Sequence, residues 1–197
     1  MLLYDNDISG NCYKVRLLLA QLGLAYERRQ LDVLDRSNRP EVLGDLNPAL
    51  RVPTLVLDDG RPLAESNAIL CYFAEGTAYL PEDRYERAQV LQWLFFEQYS
   101  HEPFIAVARM WAHFGIEASE ADRKAKHEGG LKALAAMEAH LGGRRFLVAE
   151  TYTIADIALY AYTHVAHEGG FDMEDRPSIR AWLGNVAAQP GHVTIDA

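Results

Sequence analysis

The chain has 197 residues, 49% of them hydrophobic and 24% charged, with a net charge of −9. That suffices for one large or two small globular domains of ordinary composition. The acidic balance argues against a nucleic-acid partner, since Arg28-Arg29 and Arg144-Arg145 are isolated doublets, and no apolar run approaches the ~20 residues of a membrane span. Met-Leu-Leu-Tyr-Asp at the N-terminus lacks the basic start and cleavage site of a secretory signal. The two cysteines, Cys12 and Cys71, suit a reducing, cytoplasmic setting rather than a disulfide scaffold.

Met1 to Tyr4 is short and apolar and predicts a first strand. Asn11 to Leu22 predicts a helix, with Val15, Leu18, Leu19 and Leu22 at helical spacing and Gly23 as its stop. Tyr26 to Val33 reads as a second strand, and Arg39 to Leu46 as a short helix or irregular segment. Thr54 to Leu57 is rich in β-formers, Asp58-Asp59-Gly60 signals a turn, and Arg61 to Ala64 returns as its partner. A third helix then opens at Glu65-Ser66, with Ser66 as N-cap. Strands alternating with helices and ending in a hairpin predict an α/β layer with a mixed sheet.

From Gly76 the composition shifts to a linker reaching Tyr85, and the rest predicts helix. Arg84 to about Phe114 is one long segment, with Pro103 as a kink. Ser119 to Leu141 aligns Leu131, Leu134, Met137 and Leu141, and Gly142-Gly143 ends it. Thr153-Ile154-Ala155-Asp156 has the pattern of a capping box. The helix it starts, to about His167, is apolar nearly all round and belongs inside a bundle. A last helix begins at Pro177 and stops before Pro190-Gly191. The expected domains are thus 1–76 and 85–197.

Two features of the hairpin region exceed ordinary structure. Pro53 stands at a strand start, and a cis bond there would turn the Val52 backbone outward, where an extended peptide can pair with it. Twelve residues on, Glu65 and Ser66 put a carboxylate and a hydroxyl at a helix N-terminus, whose N–H groups attract anions. Taken singly, these read equally as an edge proline and a plain cap. In tandem they suit a small peptide-like ligand carrying both an ammonium and a carboxylate.

Val52-Pro53-Thr54-Leu55 followed by Glu65-Ser66-Asn67-Ala68-Ile69 resembles the glutathione-binding core of the cytosolic glutathione transferases. The Thr153–Asp156 box also resembles that family, in which the same box starts the core helix of the second domain. The resemblance implies a thioredoxin-like N-terminal domain joined to an all-helical C-terminal one, with glutathione as cosubstrate and no metal. It implies a homodimer in the cytoplasm, acting on a hydrophobic electrophilic small molecule. Ser9 would donate a hydrogen bond to the glutathione sulfur. Ser9-x-Asn11-x-x-Lys14 further resembles the bacterial Nu class, associated with disulfide and peroxide reduction, so Asn11 would share the thiol-orienting role.

Arg51, Val52, Pro53, Glu65 and Ser66 are the expected glutathione contacts. Arg51, or alternatively Arg39, would meet the glycine carboxylate, and Leu50 stands where several classes carry a polar group. Tyr99, Phe104 and Trp111, with Met110, are candidates for a second-substrate pocket between the domains, to which His101 and Arg109 would add polarity; the same aromatic spacing also fits plain core. Cys12 reads as a small packing residue, although omega- and beta-class members use a cysteine as active thiol. His164 and His167 before Glu168 read as favourable cations at a helix end rather than metal ligands. Two further readings stay open: a glutathione-dependent peroxidase or disulfide reductase, and a non-catalytic interaction protein of the same fold.

Overall fold

A computed structural model describes the whole chain, Met1–Ala197. It divides into two units, Met1–Glu75 with Pro190–Ala197, and Gly76–Gln189.

The first unit is built on β1 (Leu2–Asp5), α1 (Gly10–Gln21), β2 (Glu27–Gln30), α2 (Arg39–Leu43), β3 (Thr54–Val56), β4 (Pro62–Ala64) and α3 (Ser66–Ala74). The four strands run in the order β2-β1-β3-β4, with β1 and β2 parallel and the other pairs antiparallel. β2 is shorter than expected, lies at the sheet edge and consists of four residues classed as exposed. One core layer holds Leu3, Val15, Leu19, Leu55 and Ile69, which pins α1 and α3 to one sheet face. Tyr4, Leu31 and Leu43 form another cluster with α2.

The last eight residues were expected in the helical domain but pack against α1 and β2. The Tyr13 hydroxyl donates to the Val193 carbonyl at 2.8 Å, Arg16 Nη2 donates to the Ile195 carbonyl, and Arg28 Nη1 donates to the Ala197 carbonyl at 2.9 Å. Gly191, at φ +71, admits this return, since a Cβ there would stand 3.0 Å from Gln21 Cα.

The second unit holds α4 (Arg84–Phe96), α5 (Glu102–Phe114), α6 (Glu120–Leu141), α7 (Ile154–Thr163) and α8 (Pro177–Ala187). α4 and α5 join through a π-helical turn, Glu97–His101, closed by the Glu102 N–H on the Glu97 carbonyl. Pro103 supplies no N–H and would clash with a carbonyl four residues back, so one wider turn absorbs it. α7 is buried at all ten positions. Asp156 starts it: Oδ2 accepts from the Thr153 N–H at 2.9 Å, and Oδ1 accepts from the Leu147 N–H at 3.0 Å and the Trp182 indole at 2.9 Å. The helix ends at Thr163, earlier than expected, and a 3-10 turn, Ala166–Gly169, follows.

Candidate functional site

Ser9 is the N-cap of α1, in extended backbone, and its Oγ accepts from the Cys12 N–H at 3.3 Å. A hydroxyl carries one donor and two acceptor sites, so this bond leaves its proton for another acceptor. The end of α1 that Ser9 caps carries roughly half a positive charge.

The neighbouring residues of α1 face two ways. Cys12 is fully buried, and burial, followed by the Asp5 carboxylate, pushes its thiol far above the usual range. It belongs to the core and is unsuited to act as a thiolate. Asn11 and Lys14, three apart, share another face. Lys14 Nζ donates to Asn11 Oδ1 at 2.8 Å and to Ser66 Oγ at 3.4 Å, and the Ser66 hydroxyl donates to Asn11 Oδ1 at 3.2 Å. Lys14 is 0% exposed and Ser66 4%.

Ser66 was expected to cap α3. It is instead the first helical residue, and Glu65 occupies the cap position with φ 64° and no capping bond from its side chain. A positive φ is costly for glutamate, and such strain gathers at functional positions. Freed from capping, the Ser66 hydroxyl turns to α1. The Glu65 side chain is exposed.

The hairpin brings the other predicted contacts beside these. Thr54 pairs with Ala64, so Pro53 and Glu65 flank the same end of the β3–β4 ladder. The Val52–Pro53 bond is cis, Pro53 is buried and Val52 half-buried. The loop before it is braced by Asn47, whose Nδ2 donates to the Arg51 carbonyl and to Thr54 Oγ1, both at 3.0 Å. Arg51 itself is exposed. Arg39, the alternative carboxylate partner, is buried, and its guanidinium donates to the Leu50 carbonyl at 2.8 Å and the Asp32 carbonyl at 2.6 Å. It braces backbone rather than offering its charge to a ligand.

In the helical unit, Tyr99 and Phe104 line one groove of about 710 Å³, with Phe96, Pro103 and Gly129. Trp111 is half-buried further along α5 and is not among the lining residues, so the three expected pocket aromatics do not form one cluster. His101 is buried, with Nε2 2.9 Å from Thr163 Oγ1, and Arg109 is paired with Glu168 at 2.7 Å; both serve the bundle interior. His164 stacks on Tyr160, and its Nδ1 lies 2.8 Å from the Tyr160 carbonyl.

Lys14 is the residue that sequence reasoning named only as part of a pattern. Its signal was present: a lysine three positions after Asn11, at helical spacing on the same face. Hydrogen bonds thus join the starts of two helices, α1 and α3, through Asn11, Lys14 and Ser66. Such helix starts can hold an anion and orient a nearby thiol.

Residues 8–75 match the glutathione S-transferase N-terminal domain, and residues 87–190 match the glutathione S-transferase C-terminal domain. The crystal structure of a glutathione S-transferase from Pseudomonas fluorescens superposes with a TM-score of 0.95 at 48% identity, covering 98% of each chain. Glutathione S-transferase 1 of Schizosaccharomyces pombe is 30% identical, over 95% of this chain and 91% of its own. The disulfide-bond oxidoreductase YfcG of Escherichia coli is 27% identical, over 91% of this chain and 87% of its own. With a mixed four-stranded sheet in one unit, a helical bundle in the other and both domain signatures in order, the chain belongs to the glutathione S-transferase family.

Proposed function

We propose that the protein is a glutathione transferase that activates the glutathione thiol for attack on hydrophobic electrophiles. The γ-glutamyl end of glutathione is held at the start of α3, by the Glu65 carboxylate on its ammonium and by Ser66 on its carboxylate. The peptide backbone lies along Val52 beside Pro53, and Arg51 meets the glycine carboxylate. Ser9 donates its hydroxyl proton to the sulfur, and Asn11 assists. The thiolate forms a carbon–sulfur bond as the electrophile loses its leaving group, and the thiol proton passes to solvent.

The observation that carries this reading is the contact among Asn11, Lys14 and Ser66, which ties the start of α1 to the start of α3. Ser66→Ala tests it. Loss of a hydrogen bond to a charged group weakens glutathione binding by about 1.5–3 kcal/mol, roughly tenfold or more. Unchanged retention on immobilised glutathione, with the fold intact, would refute the assignment.

A second reading, glutathione-dependent disulfide reduction, is favoured by one observation. Asn11 and Lys14 stand together in the site, and YfcG is named a disulfide-bond oxidoreductase. In that reaction two glutathione thiols reduce a substrate disulfide to two thiols and leave as glutathione disulfide. Cys12 is buried, so both sulfurs come from glutathione. Assaying a mixed disulfide beside an aryl halide separates the two activities.

We place the enzyme in the cytoplasm, where its two free cysteines and a reduced glutathione pool are compatible. Phe95, 70% exposed, and Tyr99, 84% exposed, present aromatic surface that a second copy would cover in a homodimer. A monomeric mass in solution at micromolar concentration would refute that assembly.

A further inference from the structure

We propose that Arg16 is a positioning residue for the Ser9 hydroxyl, acting through the Asn6 carbonyl. The inference rests on the glutathione reading above and adds a residue to its machinery. The Ser9 N–H donates to the Asn6 carbonyl at 3.1 Å, closing the turn that delivers Ser9 to the start of α1. Arg16 Nη1 donates to the same carbonyl at 3.2 Å. Nη1 also donates to Asp5 Oδ1 at 2.7 Å, while Nη2 donates to the Asp7 carbonyl at 3.2 Å and to the Ile195 carbonyl. One guanidinium thus holds Asp5, Asn6 and Asp7, successive residues leading from β1 into the turn.

Helical side chains lean toward the N-terminus of their helix, so Arg16 reaches back from the body of α1 to the loop that precedes it. The side chain is 2% exposed, and Asp5 is 0% exposed. Neutralising Asp5 does not by itself account for Arg16, because Arg28 Nε already donates to Asp5 Oδ2 at 2.6 Å. What Arg16 adds is bonding to main-chain carbonyls, those of Asn6 and Asp7 in the turn and that of Ile195 outside it. A guanidinium suits that task, since its planar fork presents N–H groups in fixed directions, whereas the lysine ammonium is a point charge on a flexible stem. The Asn6 side chain reinforces the turn, with Oδ1 accepting from the Ile8 N–H at 3.2 Å and Nδ2 donating to the Leu31 carbonyl at 2.9 Å. Ser9 therefore takes its position from a carbonyl that Arg16 fixes.

The test titrates the thiol of bound glutathione by its ultraviolet thiolate absorbance and by the pH profile of kcat/KM. It uses wild type, Arg16→Lys, Ser9→Ala and the double variant. In wild type the bound thiol titrates below free glutathione, and Ser9→Ala raises it. Arg16→Lys keeps a cation beside Asp5 but releases the turn carbonyls, and it raises the thiol pKa by about one unit, roughly a tenfold loss of thiolate at low pH. A merely structural arginine would lower the melting temperature and leave that pH profile in place. In the Ser9→Ala background Arg16→Lys produces no further shift, because residues acting through one group are not additive. Amide hydrogen exchange in the wild type gives a second readout, which holds even if Arg16→Lys fails to fold. The N–H of a residue ahead of a helix ordinarily exchanges fast, but that of Ser9 is protected by its fixed acceptor.

The outcomes separate the claims. A wild-type thiol that titrates like free glutathione, or one that Ser9→Ala leaves unmoved, overturns both the site reading and this inference. A depressed value that Ser9→Ala raises but Arg16→Lys leaves unchanged overturns this inference alone. So does a shift of equal size in the Ser9→Ala background, or a Ser9 amide that exchanges at the rate of an unstructured chain.

Discussion

Replacing Ser9 by alanine perturbs two things at once, and they are separable. The Cys12 N–H loses its 3.3 Å acceptor, which costs about 0.5–2 kcal/mol of stability as a lost helix cap. The bound sulfur loses a donor. A hydrogen bond to a charged group is worth about 1.5–3 kcal/mol, which corresponds to a rise of about one to two pKa units in the thiol. If wild type holds the thiol about two units below a free value near 8.5, half is thiolate at about pH 6.5. The variant then retains roughly 1–9% thiolate at that pH, and turnover falls about 5- to 50-fold. Above about pH 9 the two enzymes converge, because both thiols are largely ionised. The assay is kcat/KM against an aryl halide from pH 5.5 to 9.5, roughly spanning both thiol pKa values, with urea unfolding to report the cap. Equal loss at every pH would refute the argument, since it would mean that Ser9 holds the ligand without acting on its proton. An unmoved profile would refute it as well.

The remaining predictions concern neighbouring groups. Cys12→Ala keeps conjugation activity within about twofold and costs about 1 kcal/mol of stability, because the thiol is packed and burial holds it protonated; abolished activity would move the chemistry onto that residue. In the native protein an alkylating reagent leaves Cys12 untouched, read by peptide mass. Burial pushes the Asp156 carboxyl up to about 6 from an ordinary 3.8, so the folded state holds this proton to higher pH than the unfolded chain does. Its contribution is complete below about pH 4 and is lost as pH rises through 6, a change of about 3 kcal/mol. Asp156→Asn removes that titration, so the stability gap between wild type and variant narrows by about 2 kcal/mol from pH 4 to pH 7 in urea unfolding followed by tryptophan fluorescence; a constant gap would refute it.

Much of the architecture was legible because local signals agreed with one another. The β3–β4 hairpin carried β-formers around Asp58-Asp59-Gly60, and the Thr153–Asp156 box announced α7 by its own hydrogen-bond logic. What was not legible depended on long-range pairing. Ser66 looks like a cap because serine usually is one, yet its hydroxyl bonds residues 52 and 55 positions away. Arg39 looks like a surface cation until two carbonyls enclose it. The aromatic spacing of Tyr99, Phe104 and Trp111 took the segment as one helix kinked at Pro103, with regular α-helical spacing on both sides. The π-helical turn at Glu97–His101 inserts an extra residue into that spacing and sets Tyr99 in a different register from Trp111.

The return of the C-terminal residues bears on how tightly the thiol site is held. One face of α1 supplies Asn11 and Lys14, while Tyr13 and Arg16, on other faces, are gripped by Val193 and Ile195. Arg16 also pairs with the buried Asp5 at 2.7 Å, as Arg28 does at 2.6 Å. The helix is therefore fixed by the sheet core, by a buried ion network and by the chain end. A hydrogen-bonded sulfur tolerates only a few tenths of an ångström of drift in its donor before the bond weakens. Ser9 sits at the very start of α1, where helices fray unless something else holds them. Contacts along the helix body supply that restraint, and Ser9 gains a fixed position without having to be buried itself.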